Sequence, residues 1–300
     1  MMRLGLAACL LIPQATFRSG VDAVTVDVSV RDGSRVVTGL RAADFEVFDN
    51  GVPQDVASVS YGKLPIDVTL TLDVSLSVTG PLLDRLRQAV RQLMADLGPD
   101  DRLRFLGFNM RISRAVDFTA DAAKIDEALR SAVAGGSSSI WDALAVALVS
   151  ASEPERRQLI VVFTDGADNS SITTPAALID LARRTNASIA SVVPGSGSAA
   201  GPQARQGLEL LRDLASETGG TVIQASGRTT RTAGTRTTIT VNAPIDLTAT
   251  FRRVLDDFRS SYVLHFTPKG VARTGFHTLD VRIKGKRSLT VRARRGYAVR

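Results

Sequence analysis

The run LIVVFTD at 159–165 constrains the fold more than any other part of this chain. It is apolar without interruption and then ends in an acid. A strand with one wet face would alternate; a continuous run of this length fits a strand buried on both faces of a parallel sheet. IDVTLTLD at 66–73 is a second strand that ends in an acid, with Ile66, Val68, Leu70 and Leu72 on one face. A helix follows it directly. Thr79-Gly80 caps it, Pro81 takes its first position, and Leu82, Leu83, Leu86, Val90, Leu93, Met94 and Leu97 recur at helical spacing before Gly98-Pro99 stops it.

The alternation continues. A strand near 103–109 and a hairpin partner near 112–118 lead to a helix at 121–133, and a further helix starts near Ile140. After the 159–165 strand come a helix from Thr174-Pro175 to about Arg184, strand 188–194, helix 203–216, strand 220–224 and helix 246–259. Strand–helix alternation of this kind predicts a doubly wound, mainly parallel α/β sheet over 66–260 with helices on both faces. The Thr- and Arg-rich stretch 227–243 reads as an exposed loop or loose hairpin.

Both flanks change character. Residues 21–62 carry VTVDVSV and FEVFDNG, strand patterns with Asp32-Gly33 and Asn50-Gly51 as turns, and a third strand at 56–60. Residues 261–300 carry YVLHFTP, FHTLDVRIK and LTVRARRGYAV. The expectation is an Ig-like N-terminal segment packed with the C-terminal segment as a small β-sandwich closed by both ends of the chain. MMRLGLAACLLIPQA opens the sequence with Arg3, a short apolar run and a plausible cleavage site, so residues 1–15 are expected to be a signal peptide and the protein exported, to the periplasm or cell surface. LAAC at 6–9 also resembles a lipobox with Cys9 as the lipidated residue, but its apolar run is very short.

Composition removes several chemistries. Cys9 is the single cysteine of the 300 residues, so no internal disulfide and no Cys-based metal site can form. His265 and His277 are the two histidines, and neither is near a serine-rich segment, which argues against a Ser–His–Asp hydrolase. The formal charge of +7 is concentrated at the end: Lys269 to Arg300 holds ten Lys or Arg against Asp280 alone. There Arg282 and Lys284 alternate with Val281 and Ile283, and Arg292 and Arg294 with Val291 and Ala293. That pattern predicts a cationic outer sheet face, solvated or set against an anionic envelope surface. It lacks the aromatic interleaving of a nucleic-acid site, and no nucleic acid is expected as a partner.

Chemistry gathers where strands end. Asp73-Val74-Ser75-Leu76-Ser77 closes one strand, and Thr164-Asp165-Gly166 closes another. Between them, Gly135-Gly136-Ser137-Ser138-Ser139 is dense in hydroxyls. Carboxylates and hydroxyls without nitrogen or sulfur form a hard oxygen set suited to Mg2+ or Mn2+. Along an extended strand end, Asp73, Ser75 and Ser77 face the same way. Asp168 and Asn169 could orient the following loop or simply form its turn, Asp142 suits a helix start, and Trp141 reads as packing.

With these motifs the chain resembles the von Willebrand factor A family. DVSLS at 73–77 is similar to the DxSxS element of that family's metal-ion-dependent adhesion site, FTDGADNSS at 163–171 to its Asp element, and GGSSSIWDAL at 135–144 to its threonine-bearing loop, with Ser138 where Thr is usual. The flanks resemble exported proteins known from acidobacterial genomes that carry such a domain between β segments. The resemblance implies a metal held by Asp73, Ser75, Ser77, Ser138 and Asp165, with a partner's Asp or Glu carboxylate at the open position. It implies a protein-binding module rather than an enzyme. Leu76 departs from the family's glycine and adds bulk where the loop turns, so a metal-free scaffold is the alternative. A phosphoryl-transfer hydrolase is a lesser one, since position 75 is Ser where such enzymes carry a second Asp.

Overall fold

The computed structural model describes residues 23–299, except 63, 76, 77, 79, 133, 151, 152, 154, 195–200, 226, 227, 234–236, 243–245 and 287. Residues 1–15, expected to be a signal peptide and including Cys9, lie outside the described residues, as do Leu76 and the expected ligand Ser77. The chain opens with β1 (Val24–Asp32), β2 (Arg35–Val36), β3 (Phe45–Asp49), β4 (Val52–Gln54) and β5 (Val56–Tyr61). The α/β part then runs β6 (Ile66–Asp73), α1 (Pro81–Asp96), β7 (Arg102–Phe108), β8 (Ile112–Thr119), α2 (Ala122–Ser131), α3 (Ile140–Val149), β9 (Arg157–Phe163), α4 (Pro175–Arg183), β10 (Ser188–Pro194), α5 (Pro202–Thr218) and β11 (Thr221–Ala225). A two-stranded hairpin, β12 (Arg228–Ala233) and β13 (Thr237–Asn242), precedes α6 (Leu247–Arg259). β14 (Tyr262–Phe266), β15 (Gly275–Ile283), β16 (Thr290–Ala293) and β17 (Gly296–Val299) finish the chain.

The central sheet has the order β11-β10-β9-β6-β7-β8, parallel except for β8, which returns antiparallel on β7. Every residue of β6 is buried, as its position between β9 and β7 requires. The sheet has a core on each face. Val68, Leu70 and Leu72 pack with Leu86, Val90 and Leu93 of α1 and Phe251, Val254 and Leu255 of α6. On the other face, Ile160 and Val162 pack with Leu144 and Leu148 of α3, Leu178 of α4 and Leu211 and Leu214 of α5, and Trp141 is buried in the same cluster. Strand order reverses between β6 and β9, since the chain moves to β7 on one side of β6 and returns to β9 on the other. The carboxyl ends of those two strands therefore border the crevice where an open α/β sheet binds ligands.

The two ends of the chain pair with each other. β1 lies between β14 and β16, with Val26 opposite Leu264 and Val30 opposite Val291, and β14 also pairs β5. A second antiparallel sheet runs β17-β15-β3-β4. The two sheets enclose Val26, Val28, Val30, Phe45, Val47, Tyr262, Leu264, Phe266, Val281 and Ile283, a sandwich core separate from the two cores of the α/β sheet.

The C-terminal strands correct one expectation. On β15 the alternation holds, with Val281 and Ile283 buried and Arg282 exposed. On β16 it does not give an outer cationic face. Arg294, just past β16, is buried and donates to the Gly296 carbonyl, Asn186 Oδ1 and the Arg183 carbonyl, while Arg292 is part-buried and lines the same recess as Asp257. Burial pulls the Arg294 guanidinium down to about 10 and lowers Arg292 as well. The reason is position: β16 faces the seam between the sandwich and the α/β part, and that seam is lined with charge. Arg157, almost fully buried, pairs with Asp27 at 2.7 Å, donates to the Phe258 carbonyl at 2.7 Å and stacks on the Phe258 ring. Arg31 pairs with Asp257, and Glu217 with Arg183 at 2.9 Å.

Candidate metal site at the strand ends

Asp73 ends β6 with its carboxylate fully buried at the switch point. The Ser75 N–H donates to Oδ1 at 2.9 Å, closing the tight turn that leads out of the strand. The Ser138 hydroxyl lies 3.3 Å from Oδ1 and 3.2 Å from Oδ2, and the Thr164 hydroxyl donates to Oδ2 at 3.0 Å. Three segments distant in sequence thus converge on one carboxylate, and Ser75, Ser138 and Thr164 are all buried there. Burial pushes the Asp73 carboxyl above its usual range; the donors on Ser75 and Thr164 pull it back, and the nearby charge of Asp165 adds to the upward push. Among the described residues, no Lys or Arg forms an ion pair with Asp73 or Asp165.

Thr164 is the residue that sequence reading does not single out. Its signal is local: at the end of a strand buried on both faces, a hydroxyl between Phe163 and Asp165 has no apolar role to fill. Asp165 itself is half-buried, and its Oδ1 accepts the Ala167 N–H at 3.0 Å, which holds the carboxylate at the mouth of the site. Gly166 turns the chain there at φ +85°, a left-handed conformation that suits glycine. The start of α5 is pressed against this turn: a Cβ on Gly207 would fall 1.8 Å from the Gly166 carbonyl oxygen.

The Ser138 loop is held from two sides. Asn169 Oδ1 accepts the Ser138 N–H at 2.9 Å, and the N–H groups of Asn169 and Ser170 donate to the Ser138 carbonyl at 3.1 and 3.2 Å. Asp168 Oδ2 accepts the Trp141 N–H at 3.1 Å and the Ser171 hydroxyl at 2.5 Å. Asp168 and Asn169 therefore orient the loop, and do not only form their own turn. Asp142 also reaches beyond its helix: its oxygens accept the N–H groups of Ile172 and Thr173 at 3.0 and 2.7 Å. On the other side the Ser139 N–H donates to the Asn109 carbonyl at 2.9 Å, and the Gly135 N–H to the Val74 carbonyl at 2.8 Å. Replacing Asn169 with Ala is expected to leave the Ser138 segment without its side-chain anchor. For a cation held in this recess, calorimetric titration should then show affinity reduced on the order of tenfold, the usual effect of removing a group that positions a ligand; unchanged affinity would mean that Ser138 needs no such anchor.

The donors fit a hard cation. They are two carboxylates and a ring of hydroxyls, with no nitrogen or sulfur, around a buried charge that, among the described residues, no basic side chain neutralises. Among the described residues, no group of three His, Cys, Asp or Glu side chains forms a metal cluster, so this site depends on its hydroxyls.

A doubly wound sheet with an oxygen-lined recess between two strand ends defines the class of domain. The chain belongs to the von Willebrand factor type A domain family, whose model matches residues 67–232. Its fold is similar to that of the PilB minor pilin from Streptococcus sanguinis, at 13% identity and a TM-score of 0.50, covering 66% of this chain and 62% of the pilin. It is also similar to proximal thread matrix protein 1 from the mussel byssus, in a structure with a zinc-occupied MIDAS motif, at 15% identity and a TM-score of 0.50, covering 69% of this chain and 48% of the mussel protein. An aerotolerance-related membrane protein from Bacteroides fragilis NCTC 9343 aligns at 16% identity and a TM-score of 0.46 over 64% of this chain and 98% of its own. Identities this low describe a shared fold. The chain spans less than two thirds of the pilin and of the mussel protein. No curated protein matches the chain.

Proposed function

We propose that this chain is a metal-dependent protein-binding module. Domains of this family commonly serve protein interaction. Asp73, Ser75, Ser77, Ser138 and Asp165 would hold Mg2+ or Mn2+, with Thr164 fixing the Asp73 carboxylate. When bound, the cation supplies a Lewis-acidic position open to an Asp or Glu carboxylate of a protein partner. The observation that carries this reading is the buried Asp73 charge, ringed by hydroxyls and, among the described residues, without an ion-pair partner. Such a charge is costly to hold in the fold unless a cation shares it. The zinc in the mussel protein's MIDAS motif belongs to that protein; the oxygen-only donors here favour the harder ions. From the leader-like opening we further propose that the module acts outside the cytoplasm.

The test is calorimetric titration of Mg2+ and of Mn2+ into the native chain and Asp73→Ala. Binding by the native chain that the variant lacks is the expected result. Equal heats, or none in either, would remove the metal and leave a scaffold that uses the fold alone.

A further inference from the structure

Four large hydrophobic side chains are exposed among the described residues: Met110, Val149, Phe276 and Ile172, the last 92% exposed. Phe276 is covered on one face by the Arg183 guanidinium. Val149 is at the far end of α3 from the Ser138 loop. Met110 and Ile172 are different, because both project from loops fastened to the candidate metal site. Met110 sits in the β7–β8 turn, whose Asn109 carbonyl receives the Ser139 N–H, and its Cγ and Sδ lie 3.2 Å from where a Cβ on Gly136 would stand. Ile172 follows the Asn169–Ser170 segment bonded to the Ser138 carbonyl, and Asp142 Oδ2 anchors its N–H.

These side chains are presented on fixed backbone. The β7–β8 turn is closed by the Asn109 N–H to the Arg111 carbonyl at 3.0 Å and by the Arg111 N–H to Asn109 Oδ1 at 2.9 Å. The Ile172 turn is held at two consecutive N–H groups by Asp142. Arg111, next to Met110, is exposed as well. The Ser138 loop is thus tied to two loops that each carry an exposed apolar side chain, with the Arg111 guanidinium next to one of them. An exposed hydrophobic pair on rigid loops around a polar centre has the form of an interface: a polar anchor with apolar packing about it.

We propose that the partner is a protein segment in which the metal-seeking Asp or Glu is flanked by large apolar residues that pack on Met110 and Ile172. This rests on the metal-dependent reading above and adds to it the chemistry surrounding the acid. Arg111 favours a segment with net negative charge, which the acid supplies.

The test uses the full chain and a phage-displayed random peptide library, selected in Mg2+ and eluted with chelator. The native chain is expected to enrich peptides with Asp or Glu beside Leu, Ile, Val, Met or Phe. A synthetic peptide of the enriched sequence should bind Met110→Ser/Ile172→Ser about tenfold more weakly or worse, the scale of losing one buried apolar side chain. Mg2+ titration of that variant should match the native chain. Enriched acids without apolar neighbours, or equal peptide affinity for the variant, would overturn the inference and leave the metal reading standing. No chelator-eluted peptide at all would also overturn it, and Mg2+ titration of the native chain would then decide the metal reading separately.

Discussion

Asp73→Asn is expected to raise the thermal midpoint of the chain in chelator and to abolish the rise that Mg2+ gives the native protein. The substitution keeps the shape and the oxygen that accepts the Ser75 N–H, and the hydroxyls of Ser138 and Thr164 can rotate to accept from the new amide. What it removes is a buried negative charge that, among the described residues, no Lys or Arg pairs with. Without metal that charge weakens the fold, so its loss is stabilising. With metal the order inverts, because a ligand bound only to the native state stabilises by about 2.7 kcal/mol at a hundred times its dissociation constant. The native chain should therefore melt below the variant in chelator and above it in Mg2+. Two parallel unfolding curves whose order does not cross would contradict the placement of a cation at Asp73.

Gly207→Ala is expected to destabilise the α/β part and weaken Mg2+ binding together. A Cβ at 207 would overlap the Gly166 carbonyl, and that carbonyl is backbone with little room to yield. α5 would have to lift from the turn that follows Asp165. Overpacking of this kind costs about 3 kcal/mol, which corresponds to a fall of about 5 °C in midpoint at this size. Gly201→Ala is the control. It stands at the start of the same helix with open space around its Cβ position, and should cost less than about 1 kcal/mol. Similar midpoints for the two variants would show that α5 does not brace the Asp165 loop.

Much of the fold is legible because burial writes itself into the sequence. LIVVFTD and IDVTLTLD could only be interior strands, and the helices between them carry their own caps: Pro81 after Gly80, Thr174 before Pro175, and Gly219 in the left-handed conformation after α5. The acids at the strand ends mark the recess for the same reason, since an apolar strand has no use for a terminal carboxylate unless something meets it there. Within the stretch 227–243, read as a loop or loose hairpin, residues 228–233 pair antiparallel with 237–242, with Thr230 opposite Thr240. The misreading of β16 is equally physical. Alternation reports which residues share a face, and not what that face meets, so Arg292 and Arg294 look solvated until Asp257, Asn186 and the Arg183 carbonyl appear opposite them. Thr164 is hard to weigh because a single hydroxyl at the end of an apolar run is a local signal without a pattern; it acquires meaning when Asp73, 91 residues away in sequence, lies 3.0 Å from it.

The pairing of the first strand with the last ones has a mechanical consequence. β1 is held between β14 and β16, so the chain leaves the α/β part and re-enters the same sandwich it started from. A pull applied across residues 23 and 299 is carried by the strand pairs of the sandwich, and the segment from Ile66 to Arg259 hangs outside the line of force. Tension on the flanks would load β1 against β14 and β16, and β17 against β15, before it could stretch the recess around Asp73.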